Sequence, residues 1–282
     1  MHKIQITCDS ACDLSPELYA QYHIETVPLG ISLGDDFGLD GVDYTTDDIF
    51  EFVSRSGQLP KTSAASAGQY MDVFGKYTEQ GIHVIHISLS SELSASYQNA
   101  CIAAQSMENV TVIDSRNLST GAGHLALLAA ELAAAGKSAE EIAAILENKK
   151  QKMDASFVLQ TLEYLHKGGR CSGVAAFGAN LMKLRPEIEV TDGKMGVGKK
   201  YRGDLEKSVT AYIKGRLEGR TDVDLHRVSI THSGVPQDVE DKMVQLVKSL
   251  QPFEEVLVTR AGCTISCHCG PNCLGVMFFT KD

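Results

Sequence analysis

The chain has 282 residues, of which 43% are hydrophobic and 22% are charged, and its formal net charge is −10. This length fits two domains of ordinary size, and the acidic balance argues against a nucleic-acid-binding protein, because neutralising phosphates requires a cationic surface. No apolar run is long enough to cross a bilayer and the first residues lack the apolar core of a signal peptide, so we expect a cytoplasmic protein.

The first half of the chain alternates short β-rich runs with helical patterns, which predicts βαβ units and a mostly parallel sheet. Ser15 followed by Pro16 is typical of a helix start, and Ser138 with Glu141 has the spacing of a capping box. The predicted strands cover residues 4–8, 24–31, 83–88 and 110–114, and the predicted helices cover 16–22, 47–54, 97–107, 124–135 and 139–152.

The second half has a different pattern, in which Asp192-Gly193 lies between two β-rich runs and indicates a hairpin turn. The predicted strands are 157–160, 186–191, 194–201, 227–231, 256–259 and 276–280, with a helix ending at 168–169 and an amphipathic helix at 237–250. We therefore predict an α/β protein of two domains. Residues 1–155 form an N-terminal domain with a mostly parallel sheet, and residues 156–282 form a C-terminal domain with a mixed or antiparallel sheet.

Small hydroxyl side chains recur in the loops after the predicted strands, which is where parallel α/β sheets bind ligands. With free backbone N–H groups they can bind an oxyanion, although each can also serve only as a helix cap. These loops are 9–10, 61–66, 88–97 and 114–121. None of these loops has the Gly-x-x-x-x-Gly-Lys pattern of a nucleotide P-loop, and no Gly-x-Gly-x-x-Gly motif follows a strand. Arg170 and Arg202, both beside glycines, can clamp a carboxylate or phosphate, or be ordinary surface residues.

The segment 262–275 contains four cysteines and a histidine, and it is open to two interpretations. It can be a metal site formed by Cys263, Cys267, Cys269 and Cys273, or a glycine-rich turn that presents His268 to an anion. Zinc ligands usually come as Cys-x-x-Cys pairs, which are absent here. In an extended segment Cys267 and Cys269 would share one face and His268 the other, so buried packing explains the thiols more simply.

A Ser–His pair allows a third interpretation, in which Ser94 and His268 meet across the cleft as a hydrolase of acyl esters. No Gly-x-Ser-x-Gly elbow is present and no orienting acid is evident. A Ser–His contact can equally hold the hydroxyl group for a bound carboxylate.

Six motifs, taken in order along nearly the whole chain, resemble those of the DegV family of bacterial fatty-acid-binding proteins. They are Asp9-Ser10-Ala11-Cys12-Asp13-Leu14, the segments 61–66, 93–98 and 114–116, Leu162 to Arg170, and His268-Cys269-Gly270-Pro271. The resemblance implies a two-domain α/β protein that buries one long-chain fatty acid between its domains and has no other cofactor and no metal. It also implies a non-catalytic carrier.

In that family the carboxylate is held by hydroxyl groups that match Thr62 and Ser94, and His268 matches the histidine that braces this serine. The resemblance implies that the bound acid is presented to a separate fatty acid kinase subunit, which forms an acyl phosphate for phospholipid synthesis. Arg170 and Arg202 match positions for that presentation or for docking of the kinase. Transient contact with a membrane surface would fit such a carrier.

The chain departs from the family pattern at two positions. Ala95 stands where a glycine usually follows the binding serine, and Asn272 stands where the turn usually has a second glycine. The cysteine enrichment is also not a general family feature. Candidate walls of the acyl tunnel are the alanine-rich helix 124–135 and the segment 177–182, both of which can also be plain core.

Overall fold

The computed structural model describes residues 3–171 and 184–281. Its strands are β1 (Ile4–Asp9), β2 (Glu25–Val27), β3 (Gly30–Leu33), β4 (Asp36–Leu39), β5 (Lys61–Ser63), β6 (His83–Ser88), β7 (Val110–Asp114), β8 (Met153–Val158), β9 (Leu184–Thr191), β10 (Lys194–Arg202), β11 (Val223–His232), β12 (Glu255–Arg260) and β13 (Leu274–Thr280). Its α-helices are α1 (Pro16–Gln21), α2 (Thr46–Ser56), α3 (Ala67–Thr78), α4 (Ser96–Ala104), α5 (Ser119–Ala134), α6 (Ala139–Lys149), α7 (Glu163–Gly168), α8 (Leu205–Leu217), α9 (Gln237–Leu250) and α10 (Cys263–Cys269).

A four-stranded parallel sheet with the order β2-β1-β6-β7 organises the first half, as predicted. Its strands include buried β-branched residues such as Ile85 and Ile87, and α5 covers one face with small residues that allow close packing. The predicted N-caps are present, because the Ser15 hydroxyl accepts from the N–H of Leu18 and Ser138 forms a full capping box. Each cap satisfies a backbone donor that the helix itself leaves unpaired.

One predicted strand of the first half is wrong. The run 24–31 divides into β2, which pairs with β1, and β3, which lies in a small antiparallel sheet of order β4-β3-β5. Pro28 lies between the two strands, and a proline lacks the N–H that a continuous strand would need there. The consequence matters for the site, because this small sheet contains Thr62.

The second half forms a six-stranded mixed sheet with the order β10-β9-β8-β13-β11-β12, as predicted. Only β11 and β12 run parallel within it. Asp192 and Gly193 both have positive φ at the β9–β10 turn, which suits the right-handed twist of a hairpin. Because β8 begins at Met153, the predicted boundary near residue 155 lies inside the first strand of this sheet.

Within the described residues, no helix is both long and apolar enough to pass through a bilayer. Of the two predicted tunnel walls, the segment 177–182 lies outside the residues that the structure describes. The helical residues 124–135 pack into the core of the parallel sheet instead of lining the cavity described below. The small side chains of α5 are used for contact with the sheet, which agrees with the alternative that these residues are plain core.

Candidate functional site

A cavity of about 170 Å³ lies between the loops of the parallel sheet, the small sheet, and helices α7 and α10. Arg170 is the only residue with a permanently charged side chain among the described residues that line it. The lining residues are Leu29, Thr62, Ser63, Ala64, Leu89, Leu93, Ser94, Ala95, Leu118, Leu165, Arg170, Met195, Thr264, Ile265, His268 and Cys269. An apolar cavity with a few grouped polar atoms is the usual form of a site for an amphipathic small molecule.

Three predicted site residues, Thr62, Ser94 and His268, all line this cavity. Thr62 lies on β5 opposite Ile31, Ser94 lies in the turn just before α4, and His268 lies near the end of α10. Elements from both halves of the chain therefore bring the three polar side chains to one cavity.

The partner predicted for His268 is wrong. Its Nε2 lies 2.9 Å from Oγ1 of Thr62, whereas Oγ of Ser94 lies 2.9 Å from Oγ of Ser96 and accepts from the Ser96 N–H at 3.2 Å. No hydrogen bond joins His268 to Ser94, and α10 directs the imidazole toward β5 instead. This geometry does not favour the Ser–His hydrolase, because Ser94 has no base within hydrogen-bonding distance in the described chain.

The imidazole of His268 is neutral at physiological pH. Burial, and then the positive charge of Arg170, lower the pKa of His268 to about 4. Its Nδ1 is buried without a hydrogen-bond partner in the described chain and packs against Gly168. A hydrogen on Nδ1 would be a buried donor without an acceptor, so the less costly tautomer has the hydrogen on Nε2. Nε2 then donates to Thr62, which leaves the Thr62 hydroxyl hydrogen free for a ligand.

The segment predicted to be extended forms helix α10, so its predicted alternation is wrong. The helix begins after Gly262 and ends at Gly270, whose φ of 71° is in the region that favours glycine. Asp40 caps its start by accepting from the N–H of Cys263 at 2.9 Å and of Thr264 at 3.2 Å. Since Asp40 is more than 220 residues away in the chain, no local pattern could have revealed this cap.

The four cysteines of the segment are buried in apolar surroundings. Cys263 and Cys267 pack with Ile31 and Ile49, while the other two contribute to the cluster beside the cavity. Burial raises the pKa of the Cys263 thiol to about 12 and raises that of Cys267 as well. In the described part of the chain no three His, Cys, Asp or Glu residues are grouped to hold a metal ion. The thiols are therefore packing residues in this structure.

Asp13 is a buried acid that sequence reasoning missed. Its Oδ1 accepts from the N–H of Gly262 at 2.9 Å and its Oδ2 accepts from the Ser119 hydroxyl at 2.5 Å. Burial, opposed by these two hydrogen bonds and reinforced by the charge of Asp40, raises the pKa of Asp13 to about 8. Asp13 thus joins the first loop of the parallel sheet to the start of α10.

Asp9 fixes the start of the loop that contains Ser94. The carboxylate of Asp9 accepts from the Tyr70 hydroxyl at 2.5 Å, from the Ser88 hydroxyl at 2.9 Å and from the N–H of Leu89 at 2.7 Å. Asp9, Tyr70 and Ser88 are completely buried, so these bonds hold the start of the loop rigidly. The position of Ser94 therefore depends on residues that do not line the cavity.

Two arginines were predicted for this region. Arg170 lines the cavity, and its guanidinium donates to the carbonyl groups of Gly168 at 2.6 Å and Leu93 at 3.5 Å. Arg202 is exposed at the end of β10 and is not among the described residues that line the cavity. The structure therefore brings only Arg170 to the predicted carboxylate site.

A narrow extension of about 10 Å³ continues the cavity toward the mixed sheet. It shares Leu118, Ile265 and Cys269 with the main cavity, and its far wall includes Phe157 and Met277. Ile265 lies at the junction of the two spaces, a role that no sequence pattern indicates.

The two departures from the family pattern have simple explanations in the backbone. Asn272 has φ of 56°, a left-handed conformation that asparagine tolerates better than most other residues with a side chain. Ala95 has φ of −76° just before α4, so this position does not need glycine. Neither substitution disturbs the turn that it occupies.

A family model for the DegV family matches residues 3–281. The chain belongs to the DegV family. DegV domain-containing proteins of Clostridium perfringens and Caldanaerobacter subterraneus are 30% and 32% identical to it, and each alignment covers 100% of both chains.

Solved structures of DegV proteins are similar over the whole chain. A DegV protein of Thermus thermophilus, described as fatty-acid-binding, has 30% identity, a TM-score of 0.87 and coverage of 99% of both chains. A stearic-acid-binding protein of Eubacterium ventriosum has 28% identity, a TM-score of 0.87 and coverage of 100% of this chain and 99% of its own. The mixed α/β architecture of this chain is therefore that of the DegV fold.

Proposed function

We propose that this protein is a carrier that binds one long-chain fatty acid, with the carboxylate at Thr62 and Ser94 and the acyl chain in the apolar cavity. The observation that supports this proposal most directly is the grouping of Thr62, Ser94 and His268 at one side of a cavity otherwise lined mainly by apolar side chains. The fatty-acid binding described for its DegV relatives supports the same ligand.

The Thr62–His268 pair suits a carboxylate rather than a neutral headgroup. Neutral His268 donates from Nε2 to Thr62, so that the Thr62 hydroxyl donates into the cavity. A carboxylate only accepts hydrogen bonds, and Arg170 at the rim supplies a positive charge to it. The backbone N–H of Ser96 donates to Ser94 and helps to hold that hydroxyl beside the ligand.

The acyl chain should supply most of the affinity. Each buried methylene contributes about 0.8 kcal/mol, whereas a hydrogen bond to a charged group contributes about 1.5–3 kcal/mol. A chain of about sixteen carbons therefore outweighs the headgroup, and Thr62 and Ser94 mainly fix the orientation of the ligand. We place the rest of the chain in a tunnel between the two predicted domains, 1–155 and 156–282.

In this proposal the protein has no catalytic group of its own and presents the bound carboxylate to a separate fatty acid kinase subunit in the cytoplasm. Arg170 lies at the carboxylate end of the cavity, where such an enzyme would approach. Exposed Arg202 has the accessibility that a docking residue needs. Transient contact with a membrane surface would allow exchange of the acid.

Native mass spectrometry of the purified protein tests the binding step. We expect a co-purified acyl chain or uptake of added palmitate, and Thr62→Ala and Ser94→Ala should each lower palmitate affinity about ten- to a hundredfold, the value of one hydrogen bond to a charged group. Thr210→Ala and Ser208→Ala, both on α8 and away from the cavity, are matched controls. Empty protein that takes up neither palmitate nor oleate would refute the proposal.

A reconstituted phosphorylation assay with a fatty acid kinase subunit tests the presentation step. Arg202→Ala should retain palmitate but slow formation of the acyl phosphate, because we assign Arg202 to docking. Arg55→Ala, an exposed arginine on α2, is the control. Equal rates for both variants and the parent would remove the docking role while leaving the carrier function intact.

A further inference from the structure

A second cavity, of about 350 Å³, opens beside the proposed carboxylate site. Its basic residues are Lys61, Lys167 and Arg170, and no aspartate or glutamate is among the described residues that line it. Those residues are Leu59, Pro60, Lys61, Thr62, Tyr164, Lys167, Gly168, Arg170, Cys267 and His268. We refer to this space as the basic cavity.

The positive charge of the basic cavity is only partly neutralised. Within the described chain, Lys61 has no carboxylate partner, and Arg170 donates to backbone carbonyls rather than to an acid. Lys167 lies 2.8 Å from Glu163, but both side chains are 56% exposed, so solvent screens this pair strongly. A cavity with this lining attracts an anion.

Another polar cavity of the molecule shows that this lining is unusual. That cavity, of about 540 Å³ near the end of β7 and the start of β8, has equal numbers of basic and acidic residues. Its charged lining residues are Arg116, Lys150, Lys152 and Arg216 with Glu147, Asp154, Glu189 and Asp192. Of the two, only the basic cavity has an excess of positive charge.

The basic cavity shares Thr62, Arg170 and His268 with the 170 Å³ cavity proposed to hold the acyl chain, which we refer to as the acyl cavity. A carboxylate held at Thr62 would therefore lie on the boundary between the two spaces. A group attached to that carboxylate has room in the basic cavity while the acyl chain stays in place.

We infer that the basic cavity binds a phosphoryl group joined to the carboxylate of the bound acyl chain, with Lys61 and Lys167 as its main ligands. This inference rests on the proposed function. A phosphoryl group has more negative charge than a carboxylate and three oxygens that accept hydrogen bonds, which suits ammonium groups.

The site should need the acyl chain as a tether. Helix α7 ends at Gly168 and α10 ends one residue after His268, so two helix C-termini, with their partial negative charge, lie at this cavity. Helix C-termini disfavour a free anion. Inorganic phosphate alone should therefore bind weakly, and attachment to a buried acyl chain supplies the missing affinity.

A binding experiment with a stable analogue tests the inference. The probe is a 2-oxoalkylphosphonate, in which a methylene replaces the bridging oxygen of an acyl phosphate, compared with a fatty acid of equal chain length. Replacing both lysines, Lys61→Gln with Lys167→Gln, should lower phosphonate affinity on the order of tenfold and leave fatty-acid affinity within about twofold. The matched control is Lys207→Gln with Lys248→Gln, two lysines that line neither cavity.

The outcomes separate the two proposals. A parent protein that binds neither probe would refute the proposed function and this inference together. A parent that binds both probes, with phosphonate affinity equal in the double variant and its control, would overturn only the inference. If inorganic phosphate binds as tightly as the phosphonate and depends equally on the two lysines, the acyl chain is not needed as a tether and that part of the inference is refuted. The lysine effect should shrink at high salt, because these charges are exposed.

Discussion

Replacing Gly168 by alanine should displace His268 without altering any polar group of the site. A Cβ atom at position 168 would lie closer than 3.0 Å to Nδ1 of His268 and 3.1 Å from its Cε1. Non-bonded contacts are favourable only from about 3.5 Å, so the imidazole must move on the order of 1 Å. The Nε2–Oγ1 distance to Thr62 is 2.9 Å, and a displacement of this size is not compatible with the present geometry of that hydrogen bond.

The expected loss of palmitate affinity follows from the hydrogen bond that Thr62 loses. Without the donor from His268, the Thr62 hydroxyl is free to rotate and no longer points its hydrogen at the carboxylate. A hydrogen bond to a charged group contributes about 1.5–3 kcal/mol, and each 1.4 kcal/mol is a factor of ten. Gly168→Ala should therefore weaken palmitate binding about ten- to a hundredfold.

The neighbouring glycine provides the control for this experiment. Gly169 has φ of 71°, and a Cβ there would meet nothing within 4 Å. Gly169→Ala should cost about 1–2 kcal/mol of folding free energy from the left-handed backbone but leave palmitate affinity unchanged. Calorimetric titration with palmitate and thermal unfolding measure the two quantities separately. If Gly168→Ala folds and binds palmitate as tightly as the parent protein does, His268 does not orient the Thr62 hydroxyl for the ligand.

Three further predictions concern stability and chain length. Asp13→Asn should raise the free energy of unfolding at pH 8 on the order of 5 kcal/mol and leave it nearly unchanged at pH 4. The pKa of Asp13 is raised by burial to about 8, so above the ordinary aspartate range the fold must either retain a proton that the unfolded chain has released or bury a charge. Denaturant titrations at both pH values measure this, and a loss of stability at pH 8 would mean that Asp13 is ionised in the fold. In Asp13→Asn, which lacks the opposing contribution of this carboxyl group, stability should fall between about pH 6.5 and pH 4. Burial lowers the pKa of His124 to about 3 and of His268 to about 4, so the unfolded chain takes up protons that the fold excludes. Each histidine contributes on the order of 3 kcal/mol, and a flat profile in urea titrations would contradict both values. Ile265→Trp should block the narrow extension of the cavity and lower the ratio of palmitate to octanoate affinity, so an unchanged ratio would place the acyl chain elsewhere.

The elements that the sequence predicts well are those whose causes lie within a few residues. Ser15 and Ser138 cap their helices through N–H groups three positions away, and the Asp192-Gly193 turn needs only its own positive φ values. The three candidate site residues are identified by resemblance to a family. Their pairing is not, because the contact between Thr62 and His268 joins residues 206 positions apart. Contacts of this kind depend on how sheets and helices pack, which no local pattern encodes.

Pro28 shows how a local signal can be present and still be missed. The run 24–31 is rich in β-formers, and its composition predicts one strand. The proline removes one ladder donor, and the chain changes sheets there. The small sheet that results holds Thr62 beside α10, so Pro28 contributes to the position of the proposed carboxylate site.

Three of the four cysteines in 263–273 belong to α10, and the geometry of this helix accounts for where their side chains pack. In a helix, Cys263 and Cys267 are four residues apart and share a face, which packs on Ile31 and Ile49 of the small-sheet cluster. Cys269 lies on a different face, in the cluster beside the acyl cavity. Small apolar side chains let the helix fit closely between these two clusters. His268 occupies the remaining direction, so the packing of the thiols is what aims the imidazole at Thr62.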